Sequence, residues 1–150
     1  AGEYPSYEPS GTAIGPAYTA AFNWYLTNDL DYKSDTSYKV ENYGEVGRDW
    51  DNGQRIDGQK YPLMDVEENL REAMTENPHL KVFSANGYFD FATPFFETEY
   101  DLDHMGLDPS LMKNISYGYY QSGHMIYLHV PALKAYKADV AKFYDTAIGN

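Results

Sequence analysis

The sequence predicts an α/β fold built on parallel strands, and three observations predict it. Short apolar runs at residues 79–85 and 115–121 have the length of buried strands and are bounded by Pro, Asn and Gly. Each is followed by a loop and then by helical periodicity that opens on a proline, Pro94 after the first and Pro131 after the second. A strand–loop–helix unit used twice is the grammar of a mostly parallel sheet with helices on its faces. With 150 residues, 43% of them apolar and 23% charged, the chain has the size of one domain and the composition of a folded one.

In chain order, residues 1–13 are rich in Pro, Gly, Ser and Tyr without periodicity, which reads as an arm or a frayed end. Gly15-Pro16 opens a helix with Pro at its first position, and Tyr18, Phe22, Tyr25 and Leu26 form one apolar stripe running to Leu30. From Asp31 to Tyr61 the periodicity collapses into a Gly-, Asp- and Tyr-rich stretch, with Val40, Tyr43 and Val46 suited to a short strand. A connection of that length is usually functional or packed against something else. Asp65 and Glu68 form a capping-box pair ahead of Val66, Leu70, Ala73 and Met74 on one helical face, and Asn77-Pro78 ends that helix. Thr93 reads as an N-cap with Pro94 at the first helical position, Phe96, Tyr100 and Met105 lie along one face, and Gly106 closes the helix. Asp108-Pro109 begins a further turn. The last helix starts at Pro131, buries Leu133, Tyr136, Val140 and Phe143, and ends at Gly149.

Composition narrows the function. Lys and Arg number 11 against 23 acids, a net charge of −12, so phosphate backbones and anionic lipid are repelled and neither nucleic acid nor membrane is an expected partner. Residues 1–78 are the more acidic part, yet no five acids run together, so no acidic tail is indicated. The absence of Cys removes disulfides, thiolate nucleophiles, zinc fingers and iron–sulfur sites at once. No apolar run approaches the length of a membrane span, and residues 1–5 have neither the basic nor the apolar region of a signal peptide. Sixteen tyrosines, each an apolar ring with a hydroxyl that needs a partner, suit a ligand-lined or partner-covered surface.

In open α/β sheets ligands bind beyond the carboxyl ends of the strands, and two loops occupy that position. The first, Asn86-Gly87-Tyr88-Phe89-Asp90-Phe91, holds Asp90; the second, Gln121-Ser122-Gly123-His124-Met125, holds His124. A carboxylate after one strand and an imidazole after the next is an arrangement that orients a histidine as a general base. From spacing alone, a turn-forming Asp and a hydrogen-bonded loop His are the commoner readings. The flanking residues add to it. Lys81-Val82-Phe83-Ser84-Ala85-Asn86-Gly87-Tyr88-Phe89-Asp90-Phe91-Ala92-Thr93-Pro94-Phe95-Phe96 resembles the acid loop of the serine carboxypeptidases, peptidase family S10, in their bacterial branch. Tyr119-Tyr120-Gln121-Ser122-Gly123-His124-Met125-Ile126-Tyr127 is similar to the Gly-His-Met histidine loop of that family. Ala20-Ala21-Phe22-Asn23, Trp50-Asp51 and Asn77-Pro78-His79-Leu80-Lys81-Val82 extend the similarity over nearly the whole chain.

The resemblance implies the carboxyl-terminal part of an α/β-hydrolase fold. Residues 1–64 would be the end of a helical insertion (cap) region and the return to the sheet, and residues 65–150 the core carrying the Asp and His loops. It implies a serine-type carboxypeptidase acting through an acyl-enzyme, with Asp90 and His124 as two members of a Ser-His-Asp triad and no metal or organic cofactor. It also implies secretion or periplasmic residence. The family's Gly-x-Ser-x-Gly elbow is not in the sequence; the serines are 6, 10, 34, 37, 84, 110, 116 and 122. The nucleophile and oxyanion hole are therefore expected from a companion chain or segment, with peptides as substrates, and the chain alone is expected to be inactive. A processed subunit, a fragment and a catalytically silent descendant all fit, as do an esterase or acyltransferase of the same fold and a non-catalytic interaction module.

Further residues carry weaker signals. Met125 either lines the floor of the substrate pocket or packs in the core, and Trp50, beside Asp49 and Asp51, either lines the substrate cleft or packs on the sheet. Phe89, Phe91 and Phe96 would either exclude water from the Asp–His pair or pack between sheet and helix. Asp101, Asp103 and His104 read as a solvated helix end rather than a metal cluster, because 103 points away from 101 and 104. His79 and His129 have no metal-ligand spacing. Asn114-Ile115-Ser116 is a glycosylation sequon, expected to be silent in a chain of bacterial type.

Overall fold

The computed structural model describes residues 9–36, 38–39, 43–47, 49–51, 53–56, 59–61 and 66–149. Its contacts divide the chain into two units, Ala1–Asn52 and Gly53–Asn150.

The first unit contains helix α1, Pro9–Asn28. The helix was expected to open at Pro16 but opens seven residues earlier and carries Pro16 in its interior. Pro9 supplies the same favourable first position, and an internal proline forgoes one main-chain bond rather than forbidding the helix when the flanking turns continue. Of the expected arm, residues 1–8 lie outside the described residues. Along the apolar stripe Leu26 is half-buried, while Tyr18, Phe22 and Tyr25 stay exposed, and Phe22 meets Tyr38 with ring centroids 4.9 Å apart. Tyr43–Gly47 forms a π-helical turn, so Tyr43 and Val46 are not in a strand; two glycines in five residues disfavour one. Val40 lies outside the described residues.

The second unit opens with a hairpin, β1 (Gln54–Ile56) against β2 (Gln59–Tyr61), antiparallel with Ile56 opposite Gln59. The hairpin lies in the stretch where the sequence shows no periodicity, and no strand is expected at 54–61 from the sequence. Helix α2, Glu67–Glu76, follows without a side-chain cap at Val66. Asp65 lies outside the described residues, and the carboxylate of Glu68 is taken by the Arg71 guanidinium one turn on rather than by the helix start.

Strand β3, Val82–Gly87, pairs in parallel with β4, Ile115–Tyr120, in the register Val82↔Ile115 through Gly87↔Tyr120. The apolar run thus enters the sheet three residues later than expected and stays in it two residues longer. Between the strands lies α3, Phe95–His104, and after β4 a short 3₁₀ turn leads into α4, Val130–Ile148. Successive residues of a strand face opposite ways, and β4 shows it. Tyr119 meets α3, with its hydroxyl on the Glu99 carboxylate and its ring 6.0 Å from Phe95. Tyr120 meets α4, its hydroxyl donating to Asp139 Oδ2 at 2.9 Å and its ring 5.6 Å from Tyr136. Phe83 of β3 joins the second face, 5.6 Å from Phe143. The parallel α/β arrangement with helices on both faces is therefore present, alongside one antiparallel hairpin.

Two apolar clusters sit at opposite ends of the strand pair. Met74, Met105 and Leu107 are buried around Val82 and Ile115, where the strands begin. Tyr120, Ile126 and Ala132 are buried with Ala85 and Tyr136, towards the carboxyl ends. Two expected faces need correction. Met105 is buried while Phe96 and Tyr100 are exposed, because nine residues at about 100° each turn Met105 away from Phe96. In α4 the buried stripe runs through Ala132, with Tyr136, Val140 and Phe143 half-buried, leaving Leu133 on the exposed side. Gly106 and Gly149 take positive φ, 73° and 76°, just beyond the ends of α3 and α4, as their positions require.

Buried polar groups tie the strand starts together. Asn114, 4% exposed, donates to Pro78 O at 2.8 Å and accepts from Lys81 Nζ at 2.6 Å. A sequon Asn engaged in this way is not accessible to glycosylation. The Tyr117 hydroxyl, by contrast, is buried with no hydrogen-bond partner among the described residues. Removing a buried, unsatisfied hydroxyl returns its desolvation cost. Tyr117→Phe is therefore expected to leave stability unchanged or raise it by about 1 kcal/mol, read from the midpoint of urea unfolding.

Candidate active site

The site is built where β3 and β4 end. Main-chain bonding continues past both strands: the Tyr88 amide donates to Tyr120 O and the Phe89 amide to Ser122 O, each at 3.0 Å. This brings the two loops together side by side. Gly87 makes the approach feasible. A Cβ there would collide with the Gly123 carbonyl oxygen and stand 2.6 Å from that of Ser122. No side chain fits between these carbonyls, so the close passage of the loops requires glycine.

Beyond Gly87 the chain turns, with the Asp90 amide donating to Gly87 O at 3.2 Å. Asp90 then folds its carboxylate back over the next residues. Oδ1 accepts from the Ala92 amide at 2.9 Å and the Thr93 amide at 3.0 Å, and Oδ2 accepts from the Thr93 hydroxyl at 2.8 Å. The fourth donor comes from the other loop: His124 Nδ1 lies 2.9 Å from Asp90 Oδ2. The Asp90 side chain is 7% exposed and the His124 ring 63% exposed. Desolvation opposes ionisation of Asp90, but it is outweighed by the Thr93 amide, His124, the Thr93 hydroxyl and the Ala92 amide. Together they hold its pKa well below the carboxylate range.

An ionised carboxylate can only accept, so Nδ1 must carry the proton and Nε2 of a neutral ring is bare. Nε2 makes no hydrogen bond among the described residues. The pair is thus an oriented imidazole with its basic nitrogen directed away from the carboxylate, as a general base requires.

Other candidates stand as follows. Met125 is half-buried at the start of the 3₁₀ turn, its carbonyl accepting from the Leu128 amide at 3.0 Å. Trp50 belongs to the first unit, 64% exposed beside Glu45, Val46 and Asp49 around an open groove. Phe89, Phe91 and Phe96 are exposed, Phe91 to 95%, so they neither pack between sheet and helix nor shelter the pair. The shelter of Asp90 comes from its own turn. Ser84 hydrogen-bonds with Asn86, and no serine hydroxyl among the described residues meets His124. His104 is occupied by the Tyr100 carbonyl at 2.7 Å and stacks on the Tyr100 ring. Among the described residues no group of three His, Asp or Glu side chains is placed to hold a metal ion.

Sequence reasoning missed two residues of the site. Gly87 was visible as a glycine at a strand end ahead of an acid, the usual mark of close backbone approach. Thr93 carried a stronger but misleading signal. A Thr ahead of a Pro has the pattern of an N-cap, but Pro94 occupies that position in α3, extended at φ −60° and ψ 137°, without a side-chain cap bond. The Thr93 hydroxyl is directed to Asp90 and lies 3.3 Å from His124 Nδ1.

Comparison of the chain with family models, with curated proteins and with solved structures found no match.

Gly87→Ala is expected to force the loops apart, cost about 1–3 kcal/mol of stability and abolish the Nδ1 proton signal of His124 bonded to carboxylate. Denaturant unfolding and proton NMR read the two effects. The Asp90 contacts also fix a pH signature. A carboxyl held below its ordinary 3.8 stabilises the folded state fully above that value, and the contribution is lost as pH falls towards the folded value. The stability gap between the native chain and Asp90→Ala is therefore expected to shrink as pH falls below about 4. Unfolding midpoints measured as the pH is lowered check it.

Proposed function

We propose that this chain is the carboxyl-terminal portion of a serine carboxypeptidase of the α/β-hydrolase fold and supplies the His and Asp of its triad. The observation that carries the reading is the 2.9 Å contact between His124 Nδ1 and Asp90 Oδ2 at the carboxyl ends of adjacent parallel strands. The resemblance of residues 81–96 and 119–127 to the family's acid and histidine loops supports the choice of peptide carboxyl termini as substrate. Secretion or periplasmic residence belongs to the same reading. No helix among the described residues is long and apolar enough to cross a membrane.

In this mechanism a companion chain or segment brings the nucleophilic Ser and the oxyanion hole. His124 Nε2 takes the hydroxyl proton as the serine oxygen bonds to the scissile carbonyl carbon. The resulting imidazolium is balanced by Asp90. The same proton passes to the departing amine, the carbon–nitrogen bond breaks, and an acyl-serine ester remains. Water then repeats the sequence on the ester, losing its proton to Nε2, which returns it to the serine oxygen. The exposure of the His124 ring supports an approach by nucleophile and substrate from solvent.

Native material treated with a fluorophosphonate tests the reading. A larger labelled chain co-purifying with the 17.1 kDa species supports it, and an unlabelled 17.1 kDa species alone overturns it. In the assembled enzyme, His124→Ala is expected to abolish turnover of peptides with a free carboxyl terminus. Asp90→Asn, which presents an amide donor to Nδ1 and reverses the tautomer, is expected to lower kcat by about 10⁴-fold. Both variants should keep the far-ultraviolet circular dichroism of the native protein. Turnover of esters with no turnover of peptides that carry a free carboxyl terminus would assign the site to an esterase or acyltransferase instead.

A further inference from the structure

The His124 ring is 63% exposed, and both of its hydrogen-bonding contacts among the described residues are made by Nδ1. Surrounding side chains therefore do little to hold the ring, and the environment of one nitrogen decides its orientation and its tautomer. Thr93 reaches every part of that environment. Its amide donates to Asp90 Oδ1 at 3.0 Å, its hydroxyl donates to Oδ2 at 2.8 Å, and the same hydroxyl oxygen lies 3.3 Å from Nδ1.

A hydroxyl has one proton, and this one is committed to Oδ2. What the oxygen turns towards Nδ1 is lone-pair density. It therefore serves as a second acceptor for a protonated Nδ1 and repels a bare one. Two amides on Oδ1 and one hydroxyl on Oδ2 also fix the plane of the carboxylate, which would otherwise rotate about its last torsion. The threonine methyl narrows the hydroxyl to few rotamers, where serine would explore three.

We propose that Thr93 is a positioning residue of the Asp90–His124 pair: it locks the carboxylate through both oxygens and disfavours the tautomer with Nδ1 bare, leaving Nε2 as the basic nitrogen. The kinetic consequence rests on the triad reading above. The geometric one is a property of this chain and is measured without a nucleophile.

The experiment is nitrogen-15 NMR of the histidine rings in the full chain, with His124 assigned by substitution. The native ring is expected to be protonated at Nδ1. Thr93→Val, equal in shape but without a hydroxyl, is expected to populate the tautomer protonated at Nε2 and to speed exchange of the Nδ1 proton with water about tenfold. Thr93→Ala, which cannot overpack the turn, gives the same readout should the valine variant not fold. Thr93→Ser is expected to restore most of the native signature. Native ring shifts and exchange in a folded Thr93→Val or Thr93→Ala variant would overturn the proposal. In the assembled enzyme Thr93→Val is expected to lower kcat about tenfold with KM unchanged, and serine to rescue it. An altered tautomer in material that no fluorophosphonate labels would sink the triad reading while leaving Thr93 in its positioning role.

Discussion

The register of two parallel strands is the constraint on which the remaining features of the second unit depend. With Gly87 opposite Tyr120, the ladder runs on into Tyr88 and Phe89 and draws the Asp90 turn against the Gly123-His124 loop. A slip of one residue would reverse both faces of the slipped strand, sending Tyr119 and Tyr120 to the wrong helices. It would also move His124 by about 3.3 Å along the strand, more than the Asp–His contact can tolerate. The register is defended by groups that only one alignment satisfies: Tyr119 on Glu99, Tyr120 on Asp139, and Asn114 between Pro78 and Lys81. Burial, then the facing carboxylates, push the Tyr119 and Tyr120 hydroxyls well above their usual pKa, so both remain donors throughout the physiological range.

Electrostatics at the site run against the character of the chain. With a net charge of −12, the protein offers little general support for another anion, yet Asp90 is nearly buried and ionised. Local donors alone account for this. Two amides, one hydroxyl and one imidazole converge on two oxygens, an arrangement in which hydrogen bonding to the charged form outweighs desolvation. The carboxylate is therefore fixed before any partner arrives, while the imidazole it orients remains open to solvent. A rigid acid beneath an accessible base is the division of labour expected of a proton-transfer site.

The surfaces left uncovered bear on the proposed companion. Among the described residues the parallel sheet has two strands, whereas parallel sheets are ordinarily larger and covered on both faces. Around the site Phe89, Phe91 and Phe96 face solvent, and in the first unit Trp24, Tyr25 and Trp50 do the same. A segment carrying the missing nucleophile would cover apolar area and supply the missing chemistry in one act. On that proposal, taking these rings out of water would give the association a driving force.

The sequence by itself determined the alternation of strands and helices from residue 67 onward, the two loops that carry Asp90 and His124, and the order in which they occur; the β1–β2 hairpin it did not show. Those features follow from local rules: apolar run lengths, prolines at helix starts and glycines at helix ends. Tertiary structure decided what local rules leave open. Thr93 looked like a cap because capping and carboxylate binding demand the same short hydroxyl, and only the approach of the second loop shows which demand it meets. Phe91 looked like a shield because hydrophobicity says that a ring prefers cover, not whether cover is present. Pro9 and Pro16 offer the same first-position signal, and α1 starts at the first and absorbs the second. The Asp–His contact joins residues 34 apart in the chain, so strand register, rather than any motif, sets its distance.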